Sequence, residues 1–188
     1  MVSVYYPSAG ASVFDEDSLL ADRFLAGDQS AFTRLYEKYY DKVYAIARGV
    51  LLDADESADA VQEIFTLVYR HLKRFDRRSR FSTWLFRIAV NRSIQQARGL
   101  KHRSKQVELT EVADRFAEEP TWTETDPRIA DAMGRLSPAD RAILVLFYWD
   151  DMSLQDVAES LGCNVNAAKT RLFRARERFR VLYEESTN

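Results

Sequence analysis

The sequence predicts an all-α fold of two small helical domains joined by a flexible acidic linker, and three observations carry that reading. Apolar residues recur at the helical spacings i, i+3, i+4 and i+7 along most of the chain. No segment shows the two-residue alternation of a half-buried strand. One stretch, 104–125, loses its period and turns acidic, with Pro120 and several threonines, as a linker would. The 188 residues suffice for one domain or two small ones, and divide into a loose tail (1–16), a first domain (17–103), the linker, and a second domain (126–184).

In order along the chain, the tail holds Pro7, Gly10 and small residues without a period. Leu19, Leu20, Phe24 and Leu25 suit a short amphipathic helix ending at Gly27. Asp28 or Ser30 can cap a second helix, whose Phe32, Leu35, Tyr36, Tyr39, Val43, Ile46 and Ala47 keep the spacing to about Leu52. The acidic break at Asp53 caps a third, with Val61, Ile64, Phe65, Val68 and Leu72 inward. Its outer face stacks Asp55, Asp59 and Glu63, with Gln62 alongside. Carboxylates so spaced suit a protein-docking face, a merely solvated face, or a divalent cation. No histidine or second acidic cluster stands near to complete a metal site.

His71 to Arg80 is a basic loop opposed only by Asp76, and a long helix follows from about Ser82 to Arg98 or beyond. Leu85, Ile88, Ala89 and Ile94 can face inward. Trp84, Arg87, Asn91 and Gln95 fall on one stripe, an aromatic beside a cation and two amides. Single-strand recognition uses such groups: stacking on base faces, hydrogen bonds to base edges, cations on phosphates. A tryptophan on a helix also serves as a core or rim residue.

Past the linker, Asp126 and Pro127 open a short helix through Met133, and Ser137 with Asp140 forms a capping box for the apolar helix from Ala142 to Tyr148. Ser153 and Asp156 repeat that box before Leu154, Val157, Ala158 and Leu161. Gly162, free to take positive φ, ends that helix. A second helix carries Val165, Ala168, Leu172, Ala175, Phe179 and Leu182 as a narrow apolar seam. Advancing about 100° per residue puts Asn166, Thr170, Phe173, Arg174 and Glu177 opposite that seam, with Lys169 on one flank and Arg171 and Arg178 on the other. From Asn164 to Arg180 six bases face one acid. Such a layout fits a helix-turn-helix with its second helix in the major groove; a solvated basic helix or a coiled-coil face is the alternative.

The net charge of −2 hides its distribution. Residues 1–69 carry −7, 70–103 carry +10, 104–126 carry −5, 127–163 carry −3 and 164–188 carry +3. Two separate surfaces therefore suit a polyanion. The single cysteine, Cys163, excludes an internal disulfide and fits a reducing compartment. The N-terminus lacks a signal-peptide pattern, and the longest apolar run, Ala142 to Trp149, is too short to span a bilayer, so no stable membrane insertion is expected.

The segments VQEIFTLVYRHL (61–72), FSTWLFRIAVNRSIQQAR (81–98) and LSPADRAILVLFYWDDMSLQDVAESLGCNVNAAKTRLFRARERFR (136–180) resemble regions 2 and 4 of the extracytoplasmic-function (group 4) sigma factors of bacterial RNA polymerase. The likeness runs from about 17 to 183 in that family's order and spacing. It implies a non-enzymatic, cytoplasmic specificity subunit without cofactor or metal, whose partners are core RNA polymerase, promoter DNA and an anti-sigma factor. By the same resemblance, Asp59, Gln62 and Glu63 would dock on a coiled coil of the largest core subunit. Arg77, Arg78, Ser79, Arg80 and Phe81 would form a pocket for a base of the −10 element, and Trp84, Arg87, Asn91, Arg92 and Gln95 would follow the opened strand. Lys169, Thr170, Phe173 and Arg174 would read the −35 element, with Arg171 and Arg178 on its phosphates. Relatives often carry glycine and an acid in the pocket loop and open the recognition helix with Pro-x-Gly-Thr; here the loop is Arg77-Arg78-Ser79-Arg80 and the helix opens with Asn164-Val165-Asn166-Ala167. A competing reading is an operator-binding helix-turn-helix regulator with an N-terminal sensing or dimerisation domain. A metal-dependent enzyme built on Asp55, Asp59 and Glu63 is a weaker one, because no nucleophile–base pair or phosphate-binding glycine loop accompanies them.

Overall fold

Short polar side chains start the helices by taking up the backbone N–H groups that a first turn leaves unpaired. Asp15 accepts from the Ser18 amide at 2.8 Å and opens α1 (Glu16–Leu25). Asp28 accepts from Ser30 at 3.0 Å before α2 (Gln29–Leu51), and Asp53 from Glu56 at 2.8 Å before α3 (Ala54–His71). The computed structural model describes residues 15–107, 126–148 and 152–186. A 3₁₀ turn, Leu72–Arg74, leads from α3 to the basic loop and α4 (Phe81–Val107). The second half comprises α5 (Pro127–Arg135), α6 (Pro138–Tyr148), α7 (Leu154–Ser160) and α8 (Val165–Glu185). Among the described residues there is no strand, and the all-α expectation holds. The expected tail, apart from its last two residues, and the linker from 108 onward lie outside the described residues.

α2 is the central post, with α1, α3 and α4 packed around it. Its Val43, Ile46, Ala47 and Val50 are fully buried, as are Val61 and Ile64 of α3 and Leu85 and Ala89 of α4. α1 departs from the expected apolar set: Leu20 and Phe24 are buried, but Leu19 and Leu25 are 61% and 50% exposed. α1 rests on the bundle along one narrow side, so an i, i+4 pair suffices to seat it. Asp17 and Tyr39 share a buried hydrogen bond of 2.5 Å, with Lys38 on the other carboxylate oxygen. Burial and that carboxylate push the Tyr39 phenol well above its usual range.

In the second half, Ser137 and Ser153 each accept from the amide three residues on, at 3.1 Å, and donate back to its carboxylate. Both are capping-box-like starts, in which the acid meets the serine hydroxyl in place of the serine backbone N–H. Gly162 takes φ +63° in the turn between α7 and α8. The two halves also touch: α6 lies on α2 and α7 on α4. A Cβ added at Gly49 would stand 2.4 Å from Val145 Cγ2, so glycine is what lets α6 approach this closely.

Candidate nucleic-acid interface

α8 presents its basic side outward because its other side is committed to the core. Ala168, Leu172 and Ala175 are buried, and Val165, Phe179 and Leu182 partly so, which is the seam the spacing predicts. Asn164 accepts from the Ala167 amide at 2.8 Å and fixes where the helix begins. Opposite the seam, Lys169, Thr170, Arg171, Arg174 and Arg178 are exposed, and Phe173 is 63% exposed. An aromatic standing that far into water between cations gains nothing from solvent and can pack on a thymine methyl. Thr170 is held by its hydroxyl on the Asn166 carbonyl at 3.0 Å.

Arg178 is not free. It donates to both carboxylate oxygens of Asp140, at 2.8 and 2.9 Å, which ties α8 to the first turn of α6. Arg176 lies over the rings of Phe147 and Tyr148, at 5.2 and 5.0 Å from their centres. Sequence reasoning placed Asp140 only as a cap and gave Arg176 no role. The serine–acid spacing that signals a cap is silent about the second oxygen of the carboxylate.

Asp126, the cap of α5, also holds α8, accepting from Arg128 at 2.6 Å and from the Tyr183 hydroxyl at 2.6 Å. Those hydrogen bonds keep its carboxyl well below the usual carboxylate range. Arg141, on α6, is buried; desolvation pushes its guanidinium down to about 10, so it stays charged at neutral pH.

On the first half, the expected strand-facing residues divide. Asn91 and Gln95 are exposed on α4. Trp84 sits at the rim, half-buried, with Phe75 and Phe81 at 5.5 and 5.9 Å between ring centres. Phe81 is in the core at 1% exposure, against Tyr39, Phe75 and Trp84, so it floors the loop from beneath. In the loop, Arg78 and Arg80 are exposed and Ser79 half-buried. Arg77 adopts φ +60°, a conformation that strains an L side chain, and is paired with Asp22 of α1.

Arg92 leaves the stripe. Five residues on from Arg87 it points about 140° away, and it pairs with Glu63 of α3. Asp59, Glu63, Arg92 and Gln95 thereby share one cavity of about 350 Å³, so the acidic face and part of the strand-facing set are neighbours. Gln62 is exposed beside them. Arg87 turns to the other half of the molecule, donating to the carbonyl of Glu159 on α7 at 2.9 and 2.5 Å. A larger groove of about 720 Å³, with Tyr44, Met133 and Phe179 among its walls, opens between α2 and the second half.

The model of sigma-70 region 2 matches residues 35–103, and that of sigma-70 region 4 matches residues 127–179. The chain is 34% identical over 167 residues to the ECF RNA polymerase sigma factor SigW of Bacillus subtilis, covering 82% of this chain and 89% of that one. It is 32% identical over 175 residues to the ECF RNA polymerase sigma-E factor of Escherichia coli, covering 86% and 91%. The structure of CnrH in complex with the cytosolic domain of CnrY superposes with a TM-score of 0.69 at 28% identity, covering 91% of this chain and 99% of that one. Two sigma regions in this order leave the operator-binding regulator without support. The chain belongs to the sigma-70 family, among the extracytoplasmic-function sigma factors of RNA polymerase.

Proposed function

We propose that this sigma factor grips a promoter at two points, with residues 17–103 acting on the opened −10 strand and residues 126–184 setting position on the −35 duplex. The outward display of Thr170, Phe173 and Arg174, opposite the buried Ala168, Leu172 and Ala175, carries this reading. A helix so divided can enter a major groove without disturbing its own core. Lys169, on the flank, reaches a base edge or a neighbouring phosphate, and Arg171 and Arg178 contact phosphates. Phosphate contacts fix register, and the three outward groups discriminate bases.

On the first domain, Arg78, Ser79 and Arg80 offer exposed donors at a loop whose shape Phe81 and Trp84 support from below. Arg77 shapes the loop through its tie to Asp22. Arg87, Asn91 and Gln95 then line the path of the strand, cations taking phosphates and amides taking base edges. Asp59, Gln62 and Glu63 dock core polymerase, and the Glu63–Arg92 pair links that docking face to the strand path. The protein works in the bacterial cytoplasm, adds no catalytic group of its own and needs no cofactor or metal. An anti-sigma factor is its further partner, a reading supported by CnrH having been solved with the cytosolic domain of a second protein. Among the described residues no helix is long and apolar enough to cross a membrane.

Reconstitution with core polymerase on a library of candidate promoters tests the reading. Promoter-specific transcripts that need both core and this chain are expected. Specific, core-independent binding of the isolated protein to paired operator half-sites would overturn it.

A further inference from the structure

The groove of about 720 Å³ between α2 and the second half is lined by none of the residues placed on the promoter or on polymerase. Its apolar walls come from four helices: Tyr44 of α2, Ile129 and Met133 of α5, Leu144 of α6 and Phe179 of α8. Gly49 draws α6 against α2 and so closes the floor beside Val145. A cleft of this size has the dimensions of a site for a small organic molecule. An α-helix about 10 Å across would exceed it within two turns, so a peptide helix is the poorer fit.

One group on the wall is out of keeping with the rest. Arg48 lines the groove at 6% exposure, and its Nε and Nη1 have no hydrogen-bond partner among the described residues. Arginine carries a fixed charge in proteins, and burying that charge without an anion is costly. Two further cations line the groove: Arg176 lies over the rings of Phe147 and Tyr148, and Arg180 is paired with Glu177 at 3.2 Å. Three bases against one acid give the lining a positive sum. A cation would be repelled there, and a neutral apolar molecule would leave the Arg48 donors unmet. A planar two-oxygen head matches a guanidinium. A single negative charge suits one buried guanidinium among apolar walls better than a doubly charged phosphate, which costs more to desolvate.

We propose that this groove binds a small amphipathic carboxylate, with its head on the Arg48 guanidinium and its apolar body along Tyr44, Met133 and Phe179. The site lies apart from both DNA-facing surfaces and gives the chain a ligand that neither promoter nor polymerase supplies. Because its walls belong to both halves, a bound acid stabilises the folded chain by mass action.

Dodecanoate, kept below its micelle concentration, is the probe, and dodecanol is its uncharged counterpart of equal chain length. Calorimetric titration of the full-length protein is expected to show one saturable dodecanoate site and binding of the alcohol at least about tenfold weaker, since a hydrogen bond to a charged group is worth roughly tenfold to a hundredfold in affinity. Partition into a merely apolar cleft would give the reverse order, because the alcohol is easier to desolvate. Arg48→Met, a replacement of similar length, should abolish the preference for the acid. Ala45→Phe from α2 and Ile129→Trp from α5 each push a ring into the groove without touching the guanidinium, and each should weaken both ligands at least about tenfold. Circular dichroism identifies which of the three variants keep the helical fold, and any one of them that does so suffices for the comparison. Absence of a saturable dodecanoate site overturns the proposal. A preference for the acid that survives Arg48→Met puts the head on another cation and overturns it too, as does full-strength binding in a folded variant with a filled groove. Each of these outcomes is read without DNA or polymerase, so none of them bears on the promoter reading.

Discussion

Arg174 and Arg178 stand one turn apart on α8 and meet different surroundings. Arg174 is exposed and aims away from the core, whereas Arg178 already holds the Asp140 carboxylate with two hydrogen bonds. Arg174→Ala is expected to cost about 1–3 kcal/mol on the best promoter and to relax one base position. Arg178→Ala should weaken binding evenly across sequences and lower the salt slope by about one. Holoenzyme titrations against a promoter set at several salt concentrations separate the two; equal loss on every sequence for Arg174→Ala would remove it from the reading face. Helical spacing alone placed Thr170, Phe173 and Arg174 outward, because an angle about an axis depends only on residue number. It could not give Arg178 a partner on α6, since a tertiary ion pair leaves no periodic trace. The same limit applies to Arg77 and Arg92, whose partners Asp22 and Glu63 lie on other helices.

At the scale of the element, the caps were legible and the packing partners were not. Ser and Asn read as helix starts because their short oxygens satisfy local amides, and Ser137, Ser153 and Asn164 do so. Removing the cap of α8 by Asn164→Ala should cost about 1 kcal/mol in urea unfolding, with Asn164→Ser recovering most of it. Truncating the seam by Leu172→Ala should cost about 2–5 kcal/mol, because Leu172 is 5% exposed and its loss leaves a cavity. Asp126 adds a pH dependence. Its folded carboxyl titrates below the usual range, so its contribution is complete above about 3.9, the ordinary value, and is lost as pH falls from there toward the lower folded value. Thermal melts of Asp126→Asn and wild type from pH 7 to pH 3 should therefore differ by a constant amount down to about pH 4, and the gap should begin to narrow below it. A gap that stays constant across that range would mean that Tyr183 and Arg128 do not hold the ionised form. The break at Leu19 and Leu25 shows the opposite case, where periodicity marked apolar positions that the fold leaves in water. A short helix packed on one side uses fewer of them than its sequence offers.

At the scale of the whole molecule, the two halves could be counted from composition and period, but their contact could not. A hydrophobic stripe tells that a face is covered, and α2 has apolar groups enough to meet α3, α4 and α6 alike. The feature that betrays the contact is a polar one. Arg48 is buried where the halves meet, with Nε and Nη1 unpaired. Replacing it by an apolar side chain of similar length removes the desolvation penalty without leaving a hole, so Arg48→Met should stabilise the folded chain by about 1–3 kcal/mol. Melting temperature should rise accordingly. Scanning calorimetry of the variant and wild type measures the difference. A lower melting temperature would mean that Arg48 finds a partner in solution.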